Sequence, residues 1–221
     1  MSSETTDRTQ RLYLYKLTTD DGGAPCVHAD LLSLAICKPS IRQTAEAGDL
    51  IFGFAANSLH PDNRLIYATR VTSTLDGAEY YGDRYVSRPD CIYVYDDRTG
   101  SYTFRRGACY HGADENLRHD LGDPPDYDRA RVLLSEGDSF RYFGDSNLVD
   151  FDDYPVLMDT LRDLGRGHRV NHPEALEHEL VALEQRLWRE YEGNVLGAPS
   201  GQPESRESPH DEDCITIIRT C

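Results

Sequence analysis

The segment from Cys37 to Arg42 (CKPSIR) concentrates the residue types of this chain that can do specific chemistry. Lys38 is one of only two lysines among 23 basic residues, and arginine cannot replace a compact, titratable amine in every role. Ser40 and Gln43 have the spacing of a capping box, which predicts a short helix beginning at this point. Free backbone N–H groups and the helix dipole favour an anion at such a start, so we expect Lys38 and Arg42 to hold a phosphate or a carboxylate.

Cysteine and histidine side chains offer covalent chemistry as well. A thiolate and an imidazole can form a nucleophilic pair, with Cys37 or Cys109 as the thiol and His28 or His111 as the base. For an enzyme, the expected working groups are Asp21, Cys37, Lys38 and His111.

The same residue types could instead bind a metal. Cys26-x-His28 and Cys109-x-His111 are matching pairs, with His119 and Asp120 close to the second pair, and zinc accepts such ligands. One intervening residue is a shorter spacing than structural zinc sites use, and the two pairs lie far apart in the chain. We therefore expect no metal and no cofactor.

Aromatic and acidic residues suggest how a nucleotide could be held. Ten of the 14 tyrosines lie in residues 1–110, and bases stack on aromatic rings. Asp21 or Asp49 would accept hydrogen bonds from a base edge or from the loop backbone. One or more of five aromatic residues are expected to stack on the base: Tyr13, Tyr15, Phe52, Tyr142 and Phe143.

The charge of the chain is strongly negative and unevenly distributed. The net charge is −16, and residues 1–110 carry −2 while residues 111–221 carry −14. An acidic surface poor in lysine is typical of a high-salt cytoplasm, where self-repulsion is screened, so a halophilic source is expected. The front half does not repel a polyanion as strongly as the total suggests.

Several classes of protein are disfavoured by what the sequence lacks. It contains neither G-x-x-x-x-G-K-[ST] nor G-x-G-x-x-G, which disfavours triphosphate-binding and dinucleotide-binding folds. No apolar run approaches the length of a membrane span, and the first ten residues do not resemble a signal peptide. A cytoplasmic protein with no membrane partner is therefore expected.

Hydrophobic patterns predict the elements that position these residues. Short strands are expected at residues 12–17, 50–55, 65–71, 91–95 and 102–104, with further candidates at 130–134 and 140–143. Gly53 marks a bulge or a close backbone approach within its strand. One long amphipathic helix is expected over residues 173–192, with its apolar stripe at Leu176, Leu180, Leu183, Leu187 and Tyr191.

These elements predict an α+β fold with a small, strongly bent mixed β-sheet, or a PUA-like β-barrel, with flanking helices. Strands that follow each other without crossover helices argue against a doubly wound parallel sheet. Residues 1–10 are expected to be flexible and residues 11–196 to form a single domain. Residues 197–213 have the composition of a disordered linker, and residues 214–221 (CITIIRTC) resemble a strand.

The segment Cys37–Gly53, CKPSIRQTAEAGDLIFG, resembles the nucleotide modification associated domain of the second type. The later segment Leu133–Gly144 is similar to the C-terminal signature of that family, and the resemblance covers roughly residues 11–150. It implies a role in a system that modifies nucleic-acid bases. The R-x-x-A-x-x-G-D block is also similar to PUA-like barrels, including EVE and ASCH domains, which receive a flipped base in a pocket.

Three functions remain open at this point. The first is a module that binds a modified nucleotide or base, in DNA or RNA or as a free nucleotide, through Lys38, Arg42, Asp21, Asp49, Tyr142 and Phe143. The second is an enzyme of the same system that acts on a base or nucleotide. The third is an interaction subunit that binds a protein partner through the long helix and the tail.

Overall fold

The computed structural model describes residues 8–108 and 110–201. Eleven strands are assigned in that part of the chain: β1 Leu12–Leu17, β2 Cys26–His28, β3 Leu31–Leu34, β4 Leu50–Ala55, β5 Leu65–Arg70, β6 Ser73–Asp76, β7 Tyr93–Asp96, β8 Ser101–Phe104, β9 Arg131–Glu136, β10 Phe140–Tyr142 and β11 His168–Arg169. The α-helices assigned there are α1 Pro39–Thr44, α2 Gly77–Tyr80, α3 Asp114–Leu121, α4 Pro155–Asp163 and α5 Glu174–Glu190.

The strands form two open sheets and a separate hairpin. The first sheet has the order β10-β5-β4-β1-β11, with β1 parallel to β4, and the second has the order β2-β3-β9-β6. Strands β7 and β8 pair with each other. The predicted mixed α+β architecture is confirmed. The predicted PUA-like barrel is not confirmed, because no sheet closes on itself within residues 8–108 and 110–201.

Strand β1 is apolar on both faces because it lies between two layers. Leu12 and Leu14 pack in one apolar cluster with the buried leucines of α5, while Tyr13 and Tyr15 pack in a second cluster with Leu32 of β3 and other residues of the second sheet. Burial on both sides of a strand explains a near-continuous apolar run. The tyrosines of this strand are therefore core residues, fully buried.

Helix α5 confirms the predicted amphipathic stripe. Its four leucines, Leu176, Leu180, Leu183 and Leu187, are completely buried against the first sheet. Gly53 is also explained, because the register of β4 and β5 shifts there and an added Cβ would lie 2.3 Å from the ring of Tyr67. In the described part of the chain, no helix combines the length and the apolar character needed to cross a membrane.

One local expectation is corrected by the structure, and two helices appear that the hydrophobic patterns did not predict. Helix α1 begins at Pro39 with Lys38 as its N-cap, and no side chain caps it, so the capping box at Ser40 is wrong. Pro39 explains this start, since its fixed φ and missing N–H suit the first helical position. Helices α3 and α4 lie in segments for which no element was predicted.

The expected linker begins with residues that are bonded to the body of the protein. The N–H of Gly201 donates to the carbonyl of Asp20, and the N–H of Asp145 donates to the carbonyl of Ala198. The remainder of the linker, the strand-like tail at 214–221 and most of the flexible N-terminus lie outside the described residues.

Candidate functional site

Cys37 lies in a turn between β3 and α1 that the backbone holds in a rare conformation. Cys37 and Lys38 have φ values of 55° and 44°, in the left-handed region that non-glycine residues seldom adopt. The N–H of Cys37 donates to Oδ1 of Asp120 at 2.7 Å, and its carbonyl accepts from Nε of Arg42 at 2.7 Å. Both sides of the peptide backbone at Cys37 are therefore fixed by buried partners.

The thiol of Cys37 belongs to a three-residue chain of hydrogen bonds. Its Sγ lies 3.2 Å from Nε2 of His111, and Nδ1 of His111 lies 2.6 Å from Oδ2 of Asp120. The carboxylate of Asp120 is completely buried, and it also accepts from the hydroxyl of Tyr93 at 2.8 Å. The order of thiol, imidazole and carboxylate is that of a catalytic triad, in which the third group orients the base.

The elements of the second half of the chain supply the imidazole and the carboxylate. His111 lies in the loop before α3 with φ 47°, also in the left-handed region, and Asp120 lies in the last turn of α3. The helix brings Asp120 back beneath the loop, so residues nine positions apart meet. Tyr93 of β7 closes the buried side of the carboxylate.

The hydrogen-bond partners of His111 determine the charge of its imidazole ring. Burial by itself lowers the pKa of His111, but the hydrogen bonds to Asp120 and Cys37 outweigh it and raise this pKa to about 10. The ring is therefore protonated at neutral pH. A protonated imidazole next to a cysteine sulfur stabilises the thiolate, which is the nucleophilic form. Burial and the charge of Asp120 raise the pKa of Tyr93, so its hydroxyl stays a donor.

Lys38 is half-buried and follows Cys37 directly in the chain. Its Nζ lies 5.0 Å from the centre of the ring of Tyr15, which is within cation–π range. Burial lowers the pKa of Lys38, while the charge of Cys37 raises it by a smaller amount. The amine is therefore close enough to Cys37 for the two groups to influence each other.

Arg42 does not face a phosphate, contrary to expectation, because its side chain is completely buried. Its guanidinium donates to four backbone carbonyls, those of Cys37, Asp120, Arg129 and Arg131, at 2.7, 2.6, 2.9 and 2.5 Å respectively. The helix start therefore does not combine Lys38 and Arg42 in one anion site. Arg42 instead joins the turn at Cys37, the end of α3 and the start of β9.

Asp49, expected to meet a base edge, is also completely buried. It accepts from the side chains of Arg8 and Arg11 and from the backbone N–H groups of Arg11 and Glu46. Burial raises its pKa, and these partners together lower it below its usual value. Asp49 thus joins the chain before β1 to the turn before β4.

The aromatic residues expected to stack on a base are core residues. Tyr13, Tyr15, Phe52 and Phe143 are completely buried, and Tyr142 is 2 % exposed. The hydroxyl of Tyr142 donates to Oδ1 of Asp20 at 2.7 Å. Tyr142 also lines a cavity that is described below, whereas the other four rings are enclosed by the core.

The described residues bring one group of candidate metal ligands within 4.8 Å of one another, and it is the same set of Cys37, His111 and Asp120. The carboxylate and the thiol are bonded to opposite nitrogens of the His111 ring, and three donors already saturate Asp120. This arrangement suits proton transfer better than coordination of a single ion.

Cys26 lies in the core, where burial raises the pKa of its thiol well above the usual value. Cys109 is outside the described residues.

A cavity of about 560 Å³ lies next to the loop that carries His111, and we call it the acidic cavity. Asp21, one of the expected site residues, lines it together with His28, Asp30, Tyr110 and Pro199. Tyr110 is the chain neighbour of His111, and its hydroxyl donates to the carbonyl of Asp21 at 3.1 Å. The loop after β1 and the triad loop are therefore in direct contact.

The structure brings together Cys37, Lys38 and His111 from the predicted set and leaves Asp21 in the adjoining cavity. Sequence reasoning did not predict that Asp120 would orient His111, nor that Arg42 would hold the turn. The one available signal was Asp120 itself, which follows His119 in the chain and lies three positions after Leu117, on the same helix face as that residue.

The sequence model of the family described as nucleotide modification associated domain 2 matches residues 9–205. A comparison with curated proteins finds no match, and a comparison with solved structures finds none either. Because the family match spans most of the 221 residues, the chain belongs to the nucleotide modification associated domain 2 family.

Proposed function

We propose that this member of the nucleotide modification associated domain 2 family is a thiol enzyme that transfers or hydrolyses an acyl group during nucleotide modification. The proposal is carried by the hydrogen-bonded series Cys37–His111–Asp120, with its distances of 3.2 and 2.6 Å. A thiol, an imidazole and a carboxylate in this order are the parts that covalent acyl transfer requires.

In the first half-reaction, the thiolate of Cys37 attacks the carbonyl carbon of the acyl donor. A C–S bond forms as the carbonyl π pair moves to oxygen, and the tetrahedral intermediate then expels the leaving group. Nε2–H of the His111 imidazolium gives its proton to the leaving nitrogen or oxygen. Asp120 keeps the ring in the required orientation, and the charge of Lys38 lies near the reacting sulfur.

In the second half-reaction, water or an amine attacks the thioester carbonyl. Nε2 of His111 takes the proton of this nucleophile, and Cys37 leaves as a thiolate with the electron pair of the C–S bond. The imidazolium is thus regenerated, and no oxidant or reductant is consumed. A nucleotide or nucleic acid that bears an amine or an acylated amine is the substrate class for such a cycle in a modification system.

The alternative of a binding module that stacks a modified base on aromatic residues finds less support. The five rings expected to stack are buried, and Arg42 and Asp49 are saturated by partners within the protein. The third function, an interaction subunit, depends partly on residues 202–221, which lie outside the described chain. The geometry at Cys37 therefore favours the enzyme.

The test is the reactivity of Cys37 toward iodoacetamide between pH 6 and 9, mapped by peptide mass spectrometry. At pH 6 we expect alkylation of Cys37 in the unaltered protein to be roughly tenfold or more faster than in His111→Gln, since the imidazolium stabilises the thiolate. Cys91, which is 2 % exposed, serves as the internal control that stays unmodified.

A second measurement separates catalysis from mere reactivity. An activated ester such as p-nitrophenyl acetate should acylate Cys37 and then release acetate, and Cys37→Ser should abolish both steps. The proposal is wrong if Cys37 reacts at the same rate with and without His111, or if ester turnover persists in Cys37→Ser.

A further inference from the structure

The acidic cavity offers a ligand site whose chemistry can be deduced from its walls. It is formed by the loop 21–30, by Pro89, by Tyr110 and Tyr142, and by residues 195–201. Its volume of about 560 Å³ lies within the roughly 300–1,000 Å³ of small-molecule pockets. A nucleoside, or a base extruded from a strand, is of a size that such a cavity accommodates.

The charge of the lining selects for a hydrogen-bond donor. Asp21 and Asp30 both line the cavity, and none of the lining residues that the structure describes is a lysine or an arginine. Burial, and the charge of Arg88 to a smaller extent, lowers the pKa of His28, so this ring is neutral at pH 7. The charged side chains that a phosphate would meet in this lining are the carboxylates of Asp21 and Asp30, and like charges repel. The group that enters must be uncharged or positive.

The two oxygens of the Asp21 carboxylate differ in their hydrogen bonding. Its Oδ1 accepts the N–H of Gly23 at 3.0 Å, which fixes the direction of the side chain. No partner of its Oδ2 is found among residues 8–108 and 110–201, and the residue is half-buried. An acceptor held in place by its own loop is preorganised for a donor on a ligand.

The walls are flat and apolar as well as acidic. Pro25, Pro89, Pro199 and the ring of Tyr110 all line the cavity. Such surfaces favour a planar heterocycle over a flexible aliphatic ammonium, since aromatic and proline faces contact a ring over its whole area.

We infer that the acidic cavity binds a nucleobase whose edge carries an amino group, with Asp21 accepting from that amino group. Cytosine and adenine present such an edge, whereas uracil and thymine present a carbonyl oxygen at the corresponding position, which a carboxylate disfavours. The inference deepens the proposed function, because Tyr110 joins the cavity to His111 and the bound base is then the partner of the acyl transfer. A free nucleoside and a base extruded from a strand both present this edge, and the probes used below distinguish the two sources.

Binding is measured by titration calorimetry with the Cys37→Ser variant, which keeps the cavity and cannot complete the reaction, so that binding is tested whether or not Cys37 is a nucleophile. The probes are cytidine, adenosine, uridine and thymidine, and short single strands of each base. We expect cytidine or adenosine, or the corresponding strand, to bind at least about tenfold more tightly than the uridine and thymidine counterparts. Binding of the nucleoside assigns the free source, and binding of the strand alone assigns the extruded one.

The matched variants are Asp21→Asn and Asp97→Asn. Asparagine at position 21 can still accept the Gly23 N–H, so the loop is kept, and Asp97 is an exposed residue of the β7–β8 turn whose replacement removes the same charge. Asp21→Asn should weaken binding at least about tenfold, while Asp97→Asn leaves it unchanged. Equal binding of uridine and cytidine, an unaffected Asp21→Asn variant, or no binding of any probe by the folded protein would overturn the inference.

Discussion

Replacement of Arg42 by glutamine tests whether this residue is a buried support of the Cys37 turn or a phosphate ligand. Arginine at this position donates four hydrogen bonds to carbonyls of three separate segments and is completely buried. Glutamine has only two N–H donors and a shorter side chain, so it leaves at least two of those carbonyls without their partner.

The size of the effect can be worked out from these contacts. A hydrogen bond to a charged group contributes about 1.5–3 kcal/mol to stability, so four of them would exceed the roughly 3–5 kcal/mol lost when a buried ion pair is broken. Water that enters the vacated space rehydrates some of the carbonyls. We therefore expect Arg42→Gln to lower the free energy of unfolding by about 3–5 kcal/mol, which corresponds to a fall in Tm of about 10 °C for a chain of this size.

The assay is urea unfolding followed by circular dichroism, with alkylation of Cys37 as a second readout. Arg98→Gln is the matched control, because the side chain of Arg98 is 88 % exposed and its loss should change stability by less than about 0.5 kcal/mol. Arg42→Lys should fall between the two, since lysine keeps the charge and loses the planar fork of donors. A loss of less than about 1 kcal/mol in Arg42→Gln, together with weaker binding of inorganic phosphate, would refute the reasoning and restore Arg42 as an anion ligand.

Three further outcomes are expected. In Gly23→Ala the new Cβ would lie 2.9 Å from the ring of Tyr110, so we expect a loss of about 1–3 kcal/mol in urea unfolding and slower alkylation of Cys37, whereas Gly165→Ala, with open space around it, should change neither. Because the pKa of His111 is raised to about 10 from an unfolded value near 6.5, its protonation stabilises the fold fully below pH about 6.5, and this stability is lost as the pH rises through about 10. His111→Gln should therefore flatten the dependence of Tm on pH across that window, and an unchanged slope would contradict the assignment. Prior treatment with a strong zinc chelator should leave the alkylation rate of Cys37 unchanged, and a marked rise would show that an ion had occupied the thiol.

Hydrophobic patterns could predict the helices that bury one whole face and the strands that are buried on both faces. Strand β1 and the apolar stripe of α5 could be predicted because the pattern of apolar residues alone indicates their positions. Helix α3 was missed because its sequence, DENLRHDL, is polar almost throughout and only its end is buried. The barrel was not confirmed because strand positions do not say which strands pair, and β1 pairs in parallel with β4 rather than in a simple meander.

For the candidate site, the sequence indicated which residues could take part but not which of them lie together. Cys37 and His111 were named among several thiol and imidazole combinations, but 74 positions separate them and 83 separate Cys37 from Asp120. Pairing over such distances depends on the tertiary fold, which one sequence does not reveal. Arg42 was misread for a related reason, since a charged residue is expected at the surface unless its partners are known. The partners of Arg42 are backbone carbonyls, and the sequence does not indicate which carbonyls a side chain contacts.

The backbone conformation of the site supports the enzyme over a passive binding module. Cys37, Lys38 and His111 all have left-handed φ values, and each such non-glycine residue costs of order 1–3 kcal/mol unless its surroundings impose the conformation. Asp120 and Arg42 impose it at Cys37, through the N–H and the carbonyl of that residue. A fold that needed only a stable turn there could place glycine or asparagine at these positions without this cost. Three of the seven non-glycine residues with a positive φ in the described chain are the ones that carry the thiol, the neighbouring amine and the imidazole. Their conformation is explained if these side chains must be presented together to a reacting group.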